Sequence, residues 1–443
     1  MSAAATPPAR RWPGQNAIWR WHFYASLFCI PFVLWLSLTG SIYLFRPQIE
    51  AWIDRPYAQV ATTGARASAA AQADAALRAV PGSRLEGYEL PATAEQAVQI
   101  VVVAPRGSVR VYVHPQTLAV LRIVDDDDRP MRIVFRLHGE LLAGPVGSYV
   151  VELAASWTIV MILTGLALWW PRGGGLAGVV YPLLRAGRRR FWRDIHGVTG
   201  FWVSLAALFL LLSGLPWAQG WGGYLTMVRR VAEGAPPRQD WSTEHGDHHM
   251  AGQAHASAPG TEPLDRLIAT VRPLALAPPV LIAPPAAAGA PWSAKSEAAD
   301  RPMRTDLTLS GKTGAMLTRR DFAQRRLVDR IVGWGVAIHE GQAFGGLNQL
   351  LNLLTAAGLT LLSVSGAILW WRRRPAGRLG APPLRPAMPL VRGFAVLLVA
   401  LGVALPLFGL SLAVVLLVDR LAIGRAPALR QWLGSGRRER HRA

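Results

Sequence analysis

Ten histidines occur in the 443-residue chain, and four of them recur at fixed distances from a glycine. His22 precedes Gly40 by 18 residues, as His196 precedes Gly214; His138 precedes Gly165 by 27 residues, as His339 precedes Gly366. Thr39, Thr164, Ser213 and Ser365 stand just before those glycines, and Trp-Trp pairs begin 4 residues after Gly165 and Gly366. One unit is thus written twice. Twofold pseudo-symmetry would set His22 opposite His196 and His138 opposite His339. Two facing imidazoles suit the axial positions of a haem iron, and helix bundles build such sites from inward side chains. Each neutral imidazole offers one lone pair while an acceptor holds its other N–H. Structural histidines, or a transition-metal site, fit the same residues. Helix rise puts Gly40 about 27 Å from His22, so the expectation is two bis-histidine haems near opposite membrane faces, forming a stepwise electron path.

A second cluster, His245, Asp247, His248, His249 and His255, lies within Glu244–His255. Imidazoles with a carboxylate suit Cu, Zn or Ni; a solvated loop that binds metal adventitiously has the same composition. Glu152, near one end of an apolar stretch, is placed to hold a histidine N–H, to carry a proton or simply to reach the interface. Asp125–Asp128 reads as a solvated loop. The Thr/Ser-Gly pairs read as small residues that let membrane helices approach. No residue is assigned a catalytic role.

Positioning these residues falls to long apolar segments. The chain is 51% hydrophobic with 18 Trp and 17% charged residues. Five stretches, Phe23–Phe45, Gly147–Trp170, Val198–Trp217, Leu347–Trp371 and Phe394–Val418, reach the length a bilayer core requires. The lipid bilayer is therefore a partner. The net charge of +20 does not imply a nucleic-acid partner, because the arginines cluster beside apolar ends as the positive-inside bias requires. Arg185–Arg193, Arg372–Arg378 and the N-terminal Arg10, Arg11 and Arg20 are expected in the cytoplasm. The single Cys29 excludes a disulfide framework and Cys-x-x-Cys-His haem attachment. The N-terminal apolar run is too long and lacks a cleavage site, so it reads as a retained anchor.

In residue numbers, the expected order is N-terminus and first span (1–45), outer domain (46–135), histidine segment and second span (136–171), arginine-rich inner loop (172–195) and third span (196–217). A second outer domain with the His-rich insertion (218–335), histidine segment and fourth span (336–371), inner loop (372–392), fifth span (393–419) and basic tail (420–443) follow. Each outer domain reads as helix then strands. The fifth stretch reads as one kinked helix at Ala404–Gly409, with a hairpin turning back there as the alternative, since a single crossing would put the basic tail outside, against the charge bias.

The order of histidine spans, with endings "LTG" or "LSG" and "LWW", resembles the PepSY-associated transmembrane family. "VHPQTLAVL" (Val113–Leu121) and "LSGKTGAML" (Leu309–Leu317) resemble the Asp-Pro-x-Thr-Gly hairpin of PepSY domains, with His114 and Leu118 departing from it. The resemblance implies a polytopic α-helical membrane protein: a duplicated helix–outer domain–helix unit, a four-helix core plus a fifth C-terminal span, and two small α+β PepSY-like periplasmic domains. Family members include bacterial inner-membrane iron-regulated proteins and ferric-siderophore reductases that carry haem b. That implies electron transfer from a quinol or cytoplasmic donor to a periplasmic ferric chelate or siderophore, for iron acquisition. A non-redox, membrane-anchored PepSY module binding a peptidase or sensor, and a metal transporter, are the alternatives. No Gly-x-Gly-x-x-Gly dinucleotide fingerprint follows a strand.

Overall fold

The computed structural model describes residues 15–170, 179–183, 187–233, 260–287, 289–382, 392–421 and 425–433. The first half of the chain runs α1 (Gln15–Tyr43), α2 (Arg46–Ile53), α3 (Arg55–Ala58), α4 (Ala69–Ala79), β1 (Arg84–Glu89), β2 (Val98–Ala104), β3 (Gly107–Val113), β4 (Val120–Asp125), α5 (Pro130–Glu140), α6 (Gly144–Trp169). The second runs α7 (Arg188–Gly214), α8 (Gln219–Glu233), α9 (Leu264–Val271), β5 (Val280–Ala283), β6 (Trp292–Ser296), β7 (Thr305–Leu309), β8 (Met316–Asp321), α10 (Leu327–His339), α11 (Gly345–Arg373), α12 (Arg392–Ala404), α13 (Pro406–Leu421), α14 (Pro427–Trp432). Two compact units result, one from Met1–Leu38, Gly139–Val228 and Leu354–Ala443, the other from Thr39–His138 and Arg229–Leu353.

Among the described residues, α1, α6, α7 and α11 are the four helices long and apolar enough to cross a bilayer. The protein is a multi-pass helical membrane protein. In the first unit, Cys29 and Val33 of α1 pack with Trp157 and Val160 of α6 and with Phe408 of α13. Trp21 stacks on Trp157 at 6.0 Å, and Trp157 meets Phe408 edge-on at 5.0 Å. The Trp157 indole N–H donates to Ser411 Oγ at 3.0 Å, which satisfies its one polar atom inside an apolar layer.

The fifth apolar stretch is not a single kinked span. It forms two helices, α12 of 13 residues and α13 of 16. Pro406 begins the second, where its missing N–H breaks the ladder. Gly402 and Gly409 then touch: a Cβ on Gly409 would lie 2.6 Å from the Gly402 carbonyl oxygen and 3.1 Å from its Cα. Only two side-chain-free positions allow backbones that close, so the chain doubles back as a hairpin. Its return brings the Leu433 carbonyl to the Tyr24 hydroxyl at 2.6 Å and the Trp432 carbonyl to the Leu379 N–H at 3.0 Å. The hairpin thus ends beside the segment that follows α11, which corrects the expected crossing.

In the second unit, all eight strands join one sheet in the order β4-β3-β2-β1-β5-β6-β7-β8. Two separate outer sheets were the expectation; instead β1 and β5 pair antiparallel, Tyr88 opposite Ile282 and Glu89 opposite Leu281. Gly87 makes the joint possible, since a Cβ there would meet Leu281 Cδ1 at 2.6 Å. Helices α4 and α9 cover one face, burying Ala73, Ala76, Leu264 and Leu267 against Tyr88, Ile100, Val111, Ile282 and Leu307. The Asp265 carboxylate of α9 accepts from Ala69 N (2.7 Å) and Ala70 N (3.3 Å) at the start of α4, and Thr261 donates to Asp74 of α4 at 2.7 Å.

The two hairpin departures also find their reason. His114 Nδ1 accepts from the backbone N–H groups of Gln116 (3.2 Å) and Thr117 (3.1 Å), the turn-closing role that suits an aspartate. Leu118 takes φ 62°, matching φ 76° at Gly314 in the second copy. Asp126 is not a solvated loop residue. Burial acts to raise its carboxyl pKa, but Arg110 and Arg129 outweigh that and hold it below the usual carboxylate range. Ser68 caps Ala71 N of α4, and replacing Asp265 by Ala removes the acceptor of Ala69 N and Ala70 N at a cost of about 1 kcal/mol. Thermal unfolding of the detergent-solubilised protein should then fall by roughly 2–4 °C, with a Glu replacement less damaging.

Candidate functional site

His22 on α1 and His196 on α7 line one cavity of about 1080 Å³ in the first unit. That volume is at the upper end of the roughly 300–1,000 Å³ of small-molecule and cofactor sites. Phe23, Leu27, Ile30, Leu166, Phe201 and Leu359 make much of its wall.

Each ring is held the same way. His22 Nδ1 lies 3.0 Å from the Met161 carbonyl and 3.2 Å from Thr164 Oγ1 of α6. His196 Nδ1 lies 3.1 Å from the Leu362 carbonyl and 3.1 Å from Ser365 Oγ of α11. A carbonyl has no proton to give, so the proton sits on Nδ1 and the lone pair on Nε2. An acceptor on the far nitrogen is how proteins orient a metal-ligating histidine. The following glycine admits the ring: a Cβ on Gly165 would lie 3.0 Å from His22 Cε1, and one on Gly366 would lie 3.3 Å from His196 Cε1. Thr164-Gly165 and Ser365-Gly366, read from sequence as helix-packing pairs, are therefore cradles for imidazoles.

The second pair lies in the second unit, His138 near the end of α5 and His339 at the end of α10. The chain breaks before each following span: Leu141, Leu142 and Gly144 all take positive φ, as do Gly341 and Gly345. Thr39 Oγ1 stands 3.0 Å from His138 Nδ1, and a Cβ on Gly40 would lie 3.0 Å from His138 Cε1. Asn352 donates to the Ile338 carbonyl (2.6 Å) and the His339 carbonyl (3.0 Å), and Asn348 donates to Ile338 (3.0 Å). These amides satisfy the otherwise orphaned carbonyls at the end of α10 and fix the backbone that carries His339. The two rings are 6.3 Å apart centre to centre and inclined at 75°. Imidazoles binding one metal from opposite sides at about 2 Å per bond have ring centres roughly 6 Å apart. The centroid separation thus matches that of two imidazoles sharing one metal.

Among the described residues, no group of three or more His, Cys, Asp or Glu side chains gathers as a metal cage. The cluster of His245, Asp247, His248, His249 and His255 falls outside the described residues. Among the described residues, Glu152 holds no histidine. It accepts from Gly220 N (2.8 Å) and Trp221 N (3.1 Å), while Ser148 Oγ accepts from Gln219 N (3.1 Å), so together they cap the start of α8. Sequence reasoning missed Arg193 and Arg373 as cavity residues; their position beside Trp-Trp or just before His196 was the available signal, absorbed there by topology. The cap assignment has a direct test. Glu152→Gln keeps an acceptor oxygen and should melt near the wild type, whereas Glu152→Leu strands two N–H groups. That costs on the order of 1–3 kcal/mol, and the melt should drop by several degrees.

The sequence profile described as PepSY-associated TM region matches residues 19–373. No curated protein matches the chain.

Proposed function

Taking as premise that the chain belongs to the PepSY-associated transmembrane family, we propose that it is a haem b-containing electron-transfer protein. In this reading it sits in the bacterial inner membrane and reduces a ferric chelate or siderophore in the periplasm. The observation that carries the reading is that His22 and His196 line one cavity, each with its Nδ1 held by a carbonyl and a hydroxyl so that its lone pair lies on Nε2. His22 and His196 would hold one haem; His138 and His339 would hold the second.

Bound between two imidazoles, a b-type haem supplies reversible one-electron transfer. The chain's residues do the rest. Met161, Thr164, Leu362 and Ser365 fix the tautomer and orientation of His22 and His196. Gly165 and Gly366 leave the rings room, and Phe23, Leu166 and Phe201 exclude water from the cavity. Electrons would come from a quinol or a cytoplasmic donor. One electron converts the chelate's Fe(III) to Fe(II), which hard oxygen donors hold less tightly. An anchored non-redox PepSY module and a metal transporter both predict a colourless protein.

Protein purified from haem-replete cells should show a Soret band and contain two haems per chain. His22→Ala and His138→Ala should each leave about half the haem, because they remove a ligand from different sites. Gly165→Val should act like His22→Ala, since the added methyls occupy the space of the ring. A colourless wild type overturns the proposal.

A further inference from the structure

Among the described residues, the cavity around His22 and His196 is lined by three arginines, Arg20, Arg193 and Arg373, and by no aspartate or glutamate. The three differ in what else they bind. Arg193 donates to Asp194 at 2.7 and 3.0 Å and lies over the Trp169 ring at 5.8 Å. Arg20 donates to the Tyr24 hydroxyl at 3.1 Å and to the Pro382 carbonyl. Arg373 lies over Trp19 at 5.1 Å and over Phe23 at 5.6 Å, and its hydrogen bond is a long one, 3.4 Å to the Gly380 carbonyl. Among the described residues no carboxylate comes within salt-bridge distance of it.

A guanidinium stacked on two aromatic faces is fixed in place while its N–H fork remains able to bind an anion. A cation at the wall of an apolar cavity is costly without a counter-charge. Among the described residues no acidic side chain lines the cavity, so an anionic group on whatever fills it would supply the counter-charge. The imidazoles set the other requirement, a metal at the occupant's centre.

We propose that Arg373, assisted by Arg20, binds a carboxylate side chain of the cavity's occupant, so that the ligand is gripped at its metal by imidazole and at its acidic edge by guanidinium. This rests on the haem reading above and adds to it a positioning residue that recognises the propionate edge. Arg373 then sets which way round the macrocycle enters. It also favours free acids over esters.

The test uses full-length protein made under haem limitation, in a His138→Ala background so that only the cavity site loads. Haem and haem dimethyl ester, whose propionates carry no charge, are titrated separately and followed by the Soret band. The unaltered cavity should bind haem roughly ten- to a hundredfold more tightly than the ester, the range of a charged hydrogen bond. Arg373→Gln should lose that preference by weakening haem alone, and Arg373→Lys should recover part of it. Arg374→Gln, which removes a guanidinium that lies over Trp371 and Trp370 but does not itself line the cavity, should keep the preference. Unchanged ester binding by Arg373→Gln reports that the variant is folded. Equal weakening of both ligands, or of neither, overturns the role of Arg373. A Soret band from haem but no discrimination by the unaltered cavity also overturns it, while leaving the haem reading intact. No band with either ligand overturns both.

Discussion

An imidazole laid against a bare stretch of helix backbone is the contact on which this structure depends. Such a ring has one N–H to dispose of, and in an apolar layer an unsatisfied N–H costs on the order of 1–3 kcal/mol. The helix supplies the acceptor from its own backbone. Met161 and Leu362 each offer a carbonyl whose second lone pair is unused by the ladder, and Thr164 or Ser365 stands beside it. The hydroxyls themselves donate back to carbonyls one turn earlier, Thr164 to Val160 at 2.9 Å and Ser365 to Leu362 at 3.1 Å. Their lone pairs therefore face the ring. Gly165 and Gly366 complete the seat, since any Cβ there would press on the imidazole. Three successive requirements, acceptor, hydroxyl and absent side chain, explain why the same short motif ends both α6 and α11.

The same device recurs at the second pair with different supports. Thr39 and Gly40 of α1 seat His138, while the backbone under His339 is fixed by Asn348 and Asn352 at the end of α10. Both histidines stand where a short helix ends and left-handed residues turn the chain into a long one. These turns are conformationally costly for Leu141 and Leu142. Within the sheet unit the halves are bound by main-chain pairing between β1 and β5, by Asp265 of α9 at the start of α4, and by Thr261, just before α9, on Asp74 of α4.

Much of this was legible in the residues. Equal spacing marked the four histidines, and apolar length marked the four spans. The helix α4 and the strands of the two hairpins followed from periodicity and turn chemistry. Strands β1 and β6 did not. "RLEGYE" carries a glycine and a register shift after Leu85, and "WSAKS" alternates, but with small residues of weak strand preference; their neighbours in the sheet make them strands. The single sheet was invisible because β1 and β5 are far apart in the sequence. Small residues beside a hydroxyl serve helix packing and ring seating alike, so only the position of the imidazole decides between them. Pro406 between Gly402 and Gly409 signalled a break in the last apolar stretch, and the glycine contact turned the break into a hairpin.

The central claim is that paired imidazoles hold iron porphyrin. Low-temperature electron paramagnetic resonance of the oxidised, detergent-solubilised protein addresses it most directly, because the signal reports axial ligation rather than mere colour. The account predicts low-spin ferric haem with two imidazole ligands. The 75° inclination of His138 to His339 should make one component strongly anisotropic, since crossed ligand planes leave the iron d-orbitals nearly degenerate. A high-spin ferric signal alone, or no haem signal at all, would contradict it.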